Sequence, residues 1–421
     1  MAKEVKKDIV VGLDLGTTKV CTIIGEQDAE GNVHIIGVGT CPSTGLKKGS
    51  VVNIEQTISS IKKSVQDAER MAGVEVTSAF AGIAGGHIKG LNSRGVIAVS
   101  RKDKEITEED RERVLEAARA IAIPMDREII HVVPQEYIVD DQDGIKNPVG
   151  MSGVRLEAEV HVVTGSVTSV QNIVRSVERA DVRVADIILQ PLASAEAILS
   201  NDEKELGVVL IDIGGGTTDI AIFINGSLWH TGIITLGGSL VTSDVAVGLR
   251  TPNTEAEIIK TQFGCAYTAM VNEEEEITVP GVGGRADRRM PRRVLSEIIE
   301  ARMEEIFELV TAELKKNGFE DRIPAGAVIT GGAALMEGTA ELAEKILQLP
   351  VRIGSPKRVG GLTDVVSNPS YSTAVGLVLM GMQTLEPQPG GNKKVPVNFA
   401  AGEDMFKNVL DRMKKWFGDS I

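Results

Sequence analysis

The sequence predicts an α/β protein of two lobes that close on one ligand, and three observations carry that expectation. Residues 9–24 read IVVGLDLGTTKVCTII and residues 208–224 read VVLIDIGGGTTDIAIFI: each is an apolar strand ending in Asp, a Gly turn, paired Thr and a second apolar strand. Around these echoes, strand and helix patterns follow one another as they do in layered α/β lobes. A length of 421 residues, 42% hydrophobic and 25% charged, leaves room for two to four lobes and an ample core.

The echo specifies chemistry as well as architecture. Asp14 and Asp212 end runs of β-formers, so each carboxylate projects from a strand end into whatever cleft lies above its sheet. Gly16, Gly214, Gly215 and Gly216 lack a Cβ, so the turns can be tight and their N–H groups can approach an anion. Thr17, Thr18, Thr217 and Thr218 add hydroxyls, with Lys19 and Asp219 following. Two carboxylates would repel a polyphosphate unless a hard cation stood between them, and Mg²⁺, which keeps several waters, suits Asp14 and Asp212. The expected ligand is therefore a Mg-nucleotide. A single Asp-x-Gly turn is equally an ordinary solvated hairpin, and it is the matching pair that argues for phosphate. Neither segment has Walker spacing, and neither leads into a helix.

Composition narrows the setting. Cys21, Cys41 and Cys265 are scattered and odd in number, and read as reduced, buried thiols of a cytosolic protein. No apolar signal region precedes the first strand, and no stretch approaches the ~18 apolar residues of a membrane span. A net charge of −14 argues against broad nucleic-acid binding.

The remaining elements follow in order. After a reversal at 28–32, Ile54, Ile58, Ile61, Val65 and Ala68 predict a helix over 54–71 that Gly73 closes, and 78–83 is a strand. Residues 86–160 read as an inserted α+β lobe. It holds a strand at 95–100, a helix capped by Thr107 and continuing through 111–121, and strands at 128–139 and 155–164. A helix at 167–179, a strand at 184–189 and a crossing helix at 190–198 return to the first lobe. Residues 250–324 form a second insertion with a helix at 254–263, an acidic run at 273–276, a basic run at 285–293 and a long helix at 294–317. Residues 327–336, AVITGGAALM, read as strand, Gly turn and helix, so that N–H groups at a helix N-terminus face the sugar and α-phosphate side of a nucleotide.

Taken together, these residues resemble the actin, Hsp70 and sugar-kinase superfamily. Residues 14–19 resemble its first phosphate motif, 212–219 its second and 330–333 its adenosine motif, while 190–196 and 371–376 resemble its two connecting helices. Within the superfamily, 132–161, AEIIKTQFGCA at 256–266 and the C-terminal tail resemble the FtsA family of bacterial cell-division proteins. The resemblance implies a two-lobed actin-like ATPase fold with an inserted subdomain 1C in the first lobe and a 2B insertion in the second. Subdomain 1A would comprise 1–85 and 161–195, 1C 86–160, 2A 196–250 and 325–384, and 2B 251–324. It further implies that Gln190 sits near the γ-phosphate and its attacking water as the catalytic residue. Glu257 and Lys260 would bracket ribose and adenine, and Gly331, Gly332, Ala333 and Met336 would line the adenosine. Without the resemblance, Glu257 and Lys260 are an exposed helix pair three apart.

The tail reads as a membrane device. Residues 385–402 have linker composition, and in 403–421 Phe406, Val409, Leu410, Met413, Trp416 and Phe417 fall on one helical face, with Lys414 and Lys415 on the other. Against the ordering cost of a fifteen-residue helix, partial insertion of these side chains leaves one tail marginal, so several tails on a polymer would act together. The competing possibility is a helix that docks back on the body.

The family resemblance implies an ATP-binding protein that self-assembles on the cytoplasmic face of the cell membrane at the division septum. It implies docking of the C-terminal peptide of the tubulin-like protein FtsZ on 2B, and contact of later division proteins with 1C. Cationic candidates for the FtsZ contact are Arg285, Arg288, Arg289, Arg292, Arg293 and Arg302, which are equally well a solvated run balancing the acidic one. A small-molecule kinase of the same superfamily is the alternative, and it offers no reason for the tail.

Overall fold

The computed structural model describes residues 8–100 and 103–385. The sequence echo reappears as a repeated sheet. In the first lobe the spatial order is Arg183–Leu189, Ser78–Ile83, Ile9–Leu15, Lys19–Gln27, Val33–Pro42 and the short Val359–Gly361. In the second it is Ser227–Ile234, Thr218–Ile224, Val208–Ile213, Ala327–Thr330 and Val351–Ile353. Each sheet contains an antiparallel three-strand meander whose first strand pairs in parallel on its other side. The parallel neighbours require crossovers, and the connecting helices supply them.

Helix boundaries follow local chemistry. The helix Ile54–Ala72 starts at Asn53, whose side chain accepts from the Gln56 N–H, and stops at Gly73 with φ 69°. The helix Arg292–Lys316 buries Leu295, Ile299, Met303, Ile306 and Val310 along one stripe. Two short helices, Gln190–Ile198 and Ser372–Leu385, cross between the lobes. They cross so closely that any side chain at Gly376 would run into the carbonyl of Ala193. The second helix also lies directly on the first strand, where a Cβ on Gly12 would come 2.6 Å from the Ala374 carbonyl.

The inserted lobe is a four-stranded antiparallel sheet, ordered Lys89–Ala98, Arg155–Ser166, Arg127–Val139 and Gln142–Ile145, with its own core. Its helix Glu108–Arg119 opens with a capping box in which Thr107 and Asp110 satisfy each other's backbone N–H groups. The first strand begins at Lys89 rather than at the expected residue 95. Asn92, Ser93 and Arg94 disguise the alternation, but pairing with Arg155–Ser166 runs the full length of the strand.

This lobe also rests on the edge strand of the second lobe. A bulge leaves Trp229 without a cross-strand partner, and the Gln135 amide donates to the carbonyls of Leu228 (3.2 Å) and Trp229 (3.1 Å) and to Asn92 Oδ1 (3.3 Å). His161 Nδ1 lies 2.6 Å from Asn92 Oδ1, so that nitrogen carries the proton, and Nε2 accepts from the Thr231 hydroxyl at 2.9 Å. Lys146 adds an ion pair to Glu205 at 2.7 Å.

Among the described residues no helix is long and apolar enough to cross a membrane. All three cysteines are free and buried.

Candidate functional site

The two Asp-Gly hairpins face each other between the lobes. Gly16 N–H donates to the Lys19 carbonyl at 3.0 Å, and Gly214 N–H donates to that of Thr217 at 2.9 Å, closing two equivalent turns. The turns touch: a Cβ on Gly216 would lie 2.6 Å from Thr17 Oγ1, and one on Gly215 would collide with the Thr18 side chain. Glycine at 215 and 216 is thus a condition of close approach.

Behind the turns three carboxylates converge. Burial pushes Asp14 up to about 7, with Lys19 opposing and Asp212 adding to the rise. Asp212 is raised by burial as well, against the hydroxyls of Ser194 (2.7 Å) and Thr373 (3.4 Å), which favour its ionised form. Asp219, opposite Asp212 in the ladder, is pushed up to about 8 by burial and then by the Asp212 charge. The Thr217 hydroxyl donates to Asp219 Oδ2 at 3.0 Å, and Asp219 Oδ1 is buried without a hydrogen-bond partner among the described residues. Gln190 Nε2 donates to Asp14 Oδ1 at 3.0 Å.

Crowded, desolvated carboxylates with an unsatisfied oxygen fit a divalent cation at Asp14, Asp212 and Asp219. Among the described residues no group of three or more His, Cys, Asp or Glu is arranged to hold a metal ion, and Mg²⁺, which keeps several waters, would need only one or two of these carboxylates.

The far wall is built on the helix Gly238–Leu249. Its first N–H groups donate to the turn itself, Gly238 to the Gly214 carbonyl (2.9 Å) and Ser239 to that of Gly215 (2.8 Å). Lys260 is buried against this helix and donates to the Gly238 carbonyl (3.2 Å), Thr242 Oγ1 (2.9 Å) and Glu257 Oε2 (2.7 Å). Glu257 also accepts from the Thr242 hydroxyl. Lys260 is therefore a buried part of this wall, while the Glu257 side chain is half exposed at its edge. Ala333 lies 3.6 Å from where a Cβ of Gly238 would stand, which brings the expected adenosine side to the same wall. Gly331, with φ 90°, lies against Asp212 Oδ1, and the partly buried Met336 packs against the second core.

One expectation needs correction, and Lys19, Thr217 and Thr218 are seen with partners inside the protein. The turn at Gly331 and Gly332 leads into a single 3-10 turn, Gly332–Leu335, and the α-helix begins only at Thr339, because Met336 is extended and Gly338 is left-handed. Lys19 is held by the Ser370 carbonyl at 3.0 Å and stacks 3.9 Å over the Tyr371 ring. The Thr217 and Thr218 hydroxyls are engaged by Asp219 and by the Leu236 carbonyl (3.0 Å). Conversely, sequence reasoning passed over Ser194, Thr373, Gly237, Gly238 and Thr242. Ser194 stands four residues after Gln190, and a Gly pair precedes the helix at 238, so both carried a signal.

A family model described as Cell division protein FtsA matches residues 209–376, and one described as SHS2 domain inserted in FTSA matches residues 85–164. Over 416 residues the chain is 50% identical to Cell division protein FtsA of Pseudomonas aeruginosa, covering 99% of each. The chain belongs to the FtsA family. The family's inserted domain coincides with the four-stranded lobe. Among solved structures, a PilM–PilN type IV pilus biogenesis complex aligns with TM-score 0.64 at 15% identity, over 90% of this chain and 99% of that one. MreB5 of Spiroplasma citri bound to ADP aligns with TM-score 0.52 at 17% identity, over 88% and 95%. At these identities the likeness establishes the fold, and it is the two-lobed actin-like architecture expected of the FtsA family.

The arginines of this FtsA-family chain divide by engagement. Arg292 is tied to the Phe263 carbonyl (2.7 Å), Glu275 (3.0 Å) and Glu337, and Arg302 to Asp244 (2.6 Å) and Glu305. Both tie the second insertion to the rest of its lobe, through Glu337 and Asp244. Arg288 donates to the Leu249 carbonyl, and Arg293 pairs with Glu273 (2.7 Å) and Glu297 (3.1 Å). Arg289 is 81% exposed with only a 4.0 Å contact to Glu276, and Arg285 is exposed. Phe406, Val409, Leu410, Met413, Lys414, Lys415, Trp416 and Phe417 lie outside the described residues.

Proposed function

We propose that this FtsA-family protein binds Mg·ATP between its two hairpins, assembles into polymers on the cytoplasmic face of the cell membrane, and tethers FtsZ there. The observation that carries the reading is the pair of equivalent Asp-Gly turns meeting across a cleft lined by Asp14, Asp212 and Asp219. The ADP named with the MreB5 structure supports a nucleotide in the same fold. In this reading Asp14, Asp212 and Asp219 hold the hydrated Mg²⁺, which would neutralise phosphate charge. The turn N–H groups face the phosphates, and Glu257, Lys260, Gly331, Gly332, Ala333 and Met336 enclose the nucleoside. Gln190 has its amide donor on Asp14 and its carbonyl available to orient water, an arrangement suited at most to slow hydrolysis.

Subdomain 2B, residues 251–324, takes the FtsZ C-terminal peptide. The exposed Arg285 and Arg289 are now the first candidates to meet acidic residues on it. Subdomain 1C receives later division proteins, and the tail supplies the lipid contact. Co-sedimentation with FtsZ polymers on anionic liposomes tests the assembly. The double variant Arg285→Glu, Arg289→Glu should pellet with liposomes but lose FtsZ, and undiminished FtsZ recovery would remove this face from the proposal.

A further inference from the structure

The crossing helix Gln190–Ile198 touches the carboxylates of both lobes. Residues four apart share a helical face, and here Gln190 reaches Asp14 while Ser194 Oγ, fully buried, donates to Asp212 Oδ2 at 2.7 Å. Thr373 Oγ1, from the helix Ser372–Leu385, lies 2.9 Å from Ser194 Oγ and 3.4 Å from Asp212 Oδ2. A serine hydroxyl has one proton. Because Ser194 gives it to Asp212, Ser194 can only accept from Thr373, whose own proton is shared between Ser194 Oγ at 2.9 Å and, at the longer 3.4 Å, Asp212 Oδ2, so that both hydroxyls converge on the carboxylate. The Gly376 and Ala193 contact fixes the crossing that aligns the two hydroxyls, and Gly331 packs against the other oxygen of Asp212.

We propose that Ser194 and Thr373 are positioning residues for Asp212, so that the crossing of the two helices sets how well the cleft takes up Mg²⁺. This rests on the reading of the hairpins as a Mg·ATP site. Without the two hydroxyls the carboxylate can turn away from the cation, and with them the orientation is in place before Mg²⁺ arrives. Since both hydroxyls sit on the helices that join the lobes, a shift of one lobe on the other alters these hydrogen bonds and with them the cation site.

The test is ATP affinity of the full-length protein measured from EDTA through rising free Mg²⁺. Ser194→Ala should match wild type in EDTA but need about tenfold more Mg²⁺ for the same tightening, the effect of losing one hydrogen bond to a charged group. Thr373→Val should shift the midpoint in the same direction by less, and Thr373→Ser, which keeps the hydroxyl, should restore the wild-type curve. A Ser194→Ala curve superimposed on wild type overturns the inference. So does an equal loss of affinity with and without Mg²⁺, which marks a merely structural role. If Ser194→Ala does not fold, the Thr373→Val and Thr373→Ser pair decides on the same criteria. A wild-type protein that takes up ATP with no response to Mg²⁺ overturns the underlying metal-site reading together with this inference, a result distinct from a variant-specific null.

Discussion

Asp219 concentrates the tension of the site in one side chain. It is buried, faces Asp212 across the ladder, and has one oxygen satisfied by Thr217 and the other by nothing among the described residues. Burial and Asp212 hold Asp219 up to about 8, so Asp219→Asn removes a charge only above that value; at pH 9 the nucleotide-free variant should melt higher than wild type, while Mg·ATP no longer raises its melting temperature. A variant that melts lower and still responds to Mg·ATP would contradict this account of the residue. The strand-end aspartates are legible in the sequence because each ends an apolar run just before a Gly turn. The fates of Lys19 and Arg292 are not, because their partners come from far along the chain. Ser370 lies 351 residues from Lys19, and Glu337 lies 45 residues from Arg292, and no local pattern encodes such pairings.

At the level of elements, both hairpins and most helices can be read from alternation, caps and glycines, as the Asn53 to Gly73 helix and the Thr107 capping box show. What escapes is set by packing. The turn after Gly331 becomes 3-10, and the strand at Lys89 is held by its neighbour rather than by its own polar sequence. The seat of the inserted lobe on the strand Ser227–Ile234 depends equally on long-range contacts. There His161 is pushed down to about 3 by burial and secondarily by His230, whose own ring nitrogen meets Glu313 at 2.9 Å. Because the folded value lies below the ordinary 6.5, the unfolded chain binds the extra proton. The contribution is therefore complete above pH 6.5 and is lost as pH falls towards 3. His161→Gln should lower the urea midpoint at pH 7, and its deficit against wild type should shrink by pH 5. A deficit independent of pH would show that the imidazole is not held neutral.

On the scale of the whole molecule, the duplicated meander is the feature that sequence and structure share most fully. One motif written twice becomes one sheet built twice, and the chain between and around the copies supplies two crossing helices and two insertions. The seating of those insertions is not written in the repeat. It depends on Gln135 finding the carbonyls of a bulge, and on Arg292 and Arg302 tying helices together. A protein arranged this way can pass the state of its cleft outward, through the crossing helices to the lobes and through the edge strand to the inserted lobe. All of that depends on the cleft taking up a nucleotide. Isothermal calorimetry of Mg·ATP with the wild-type protein and with Asp14→Ala, Asp212→Ala tests it most directly. The account predicts one site per chain in the wild type and no measurable heat from a double variant that remains folded. Equal binding by both, or none by the wild type, would contradict it.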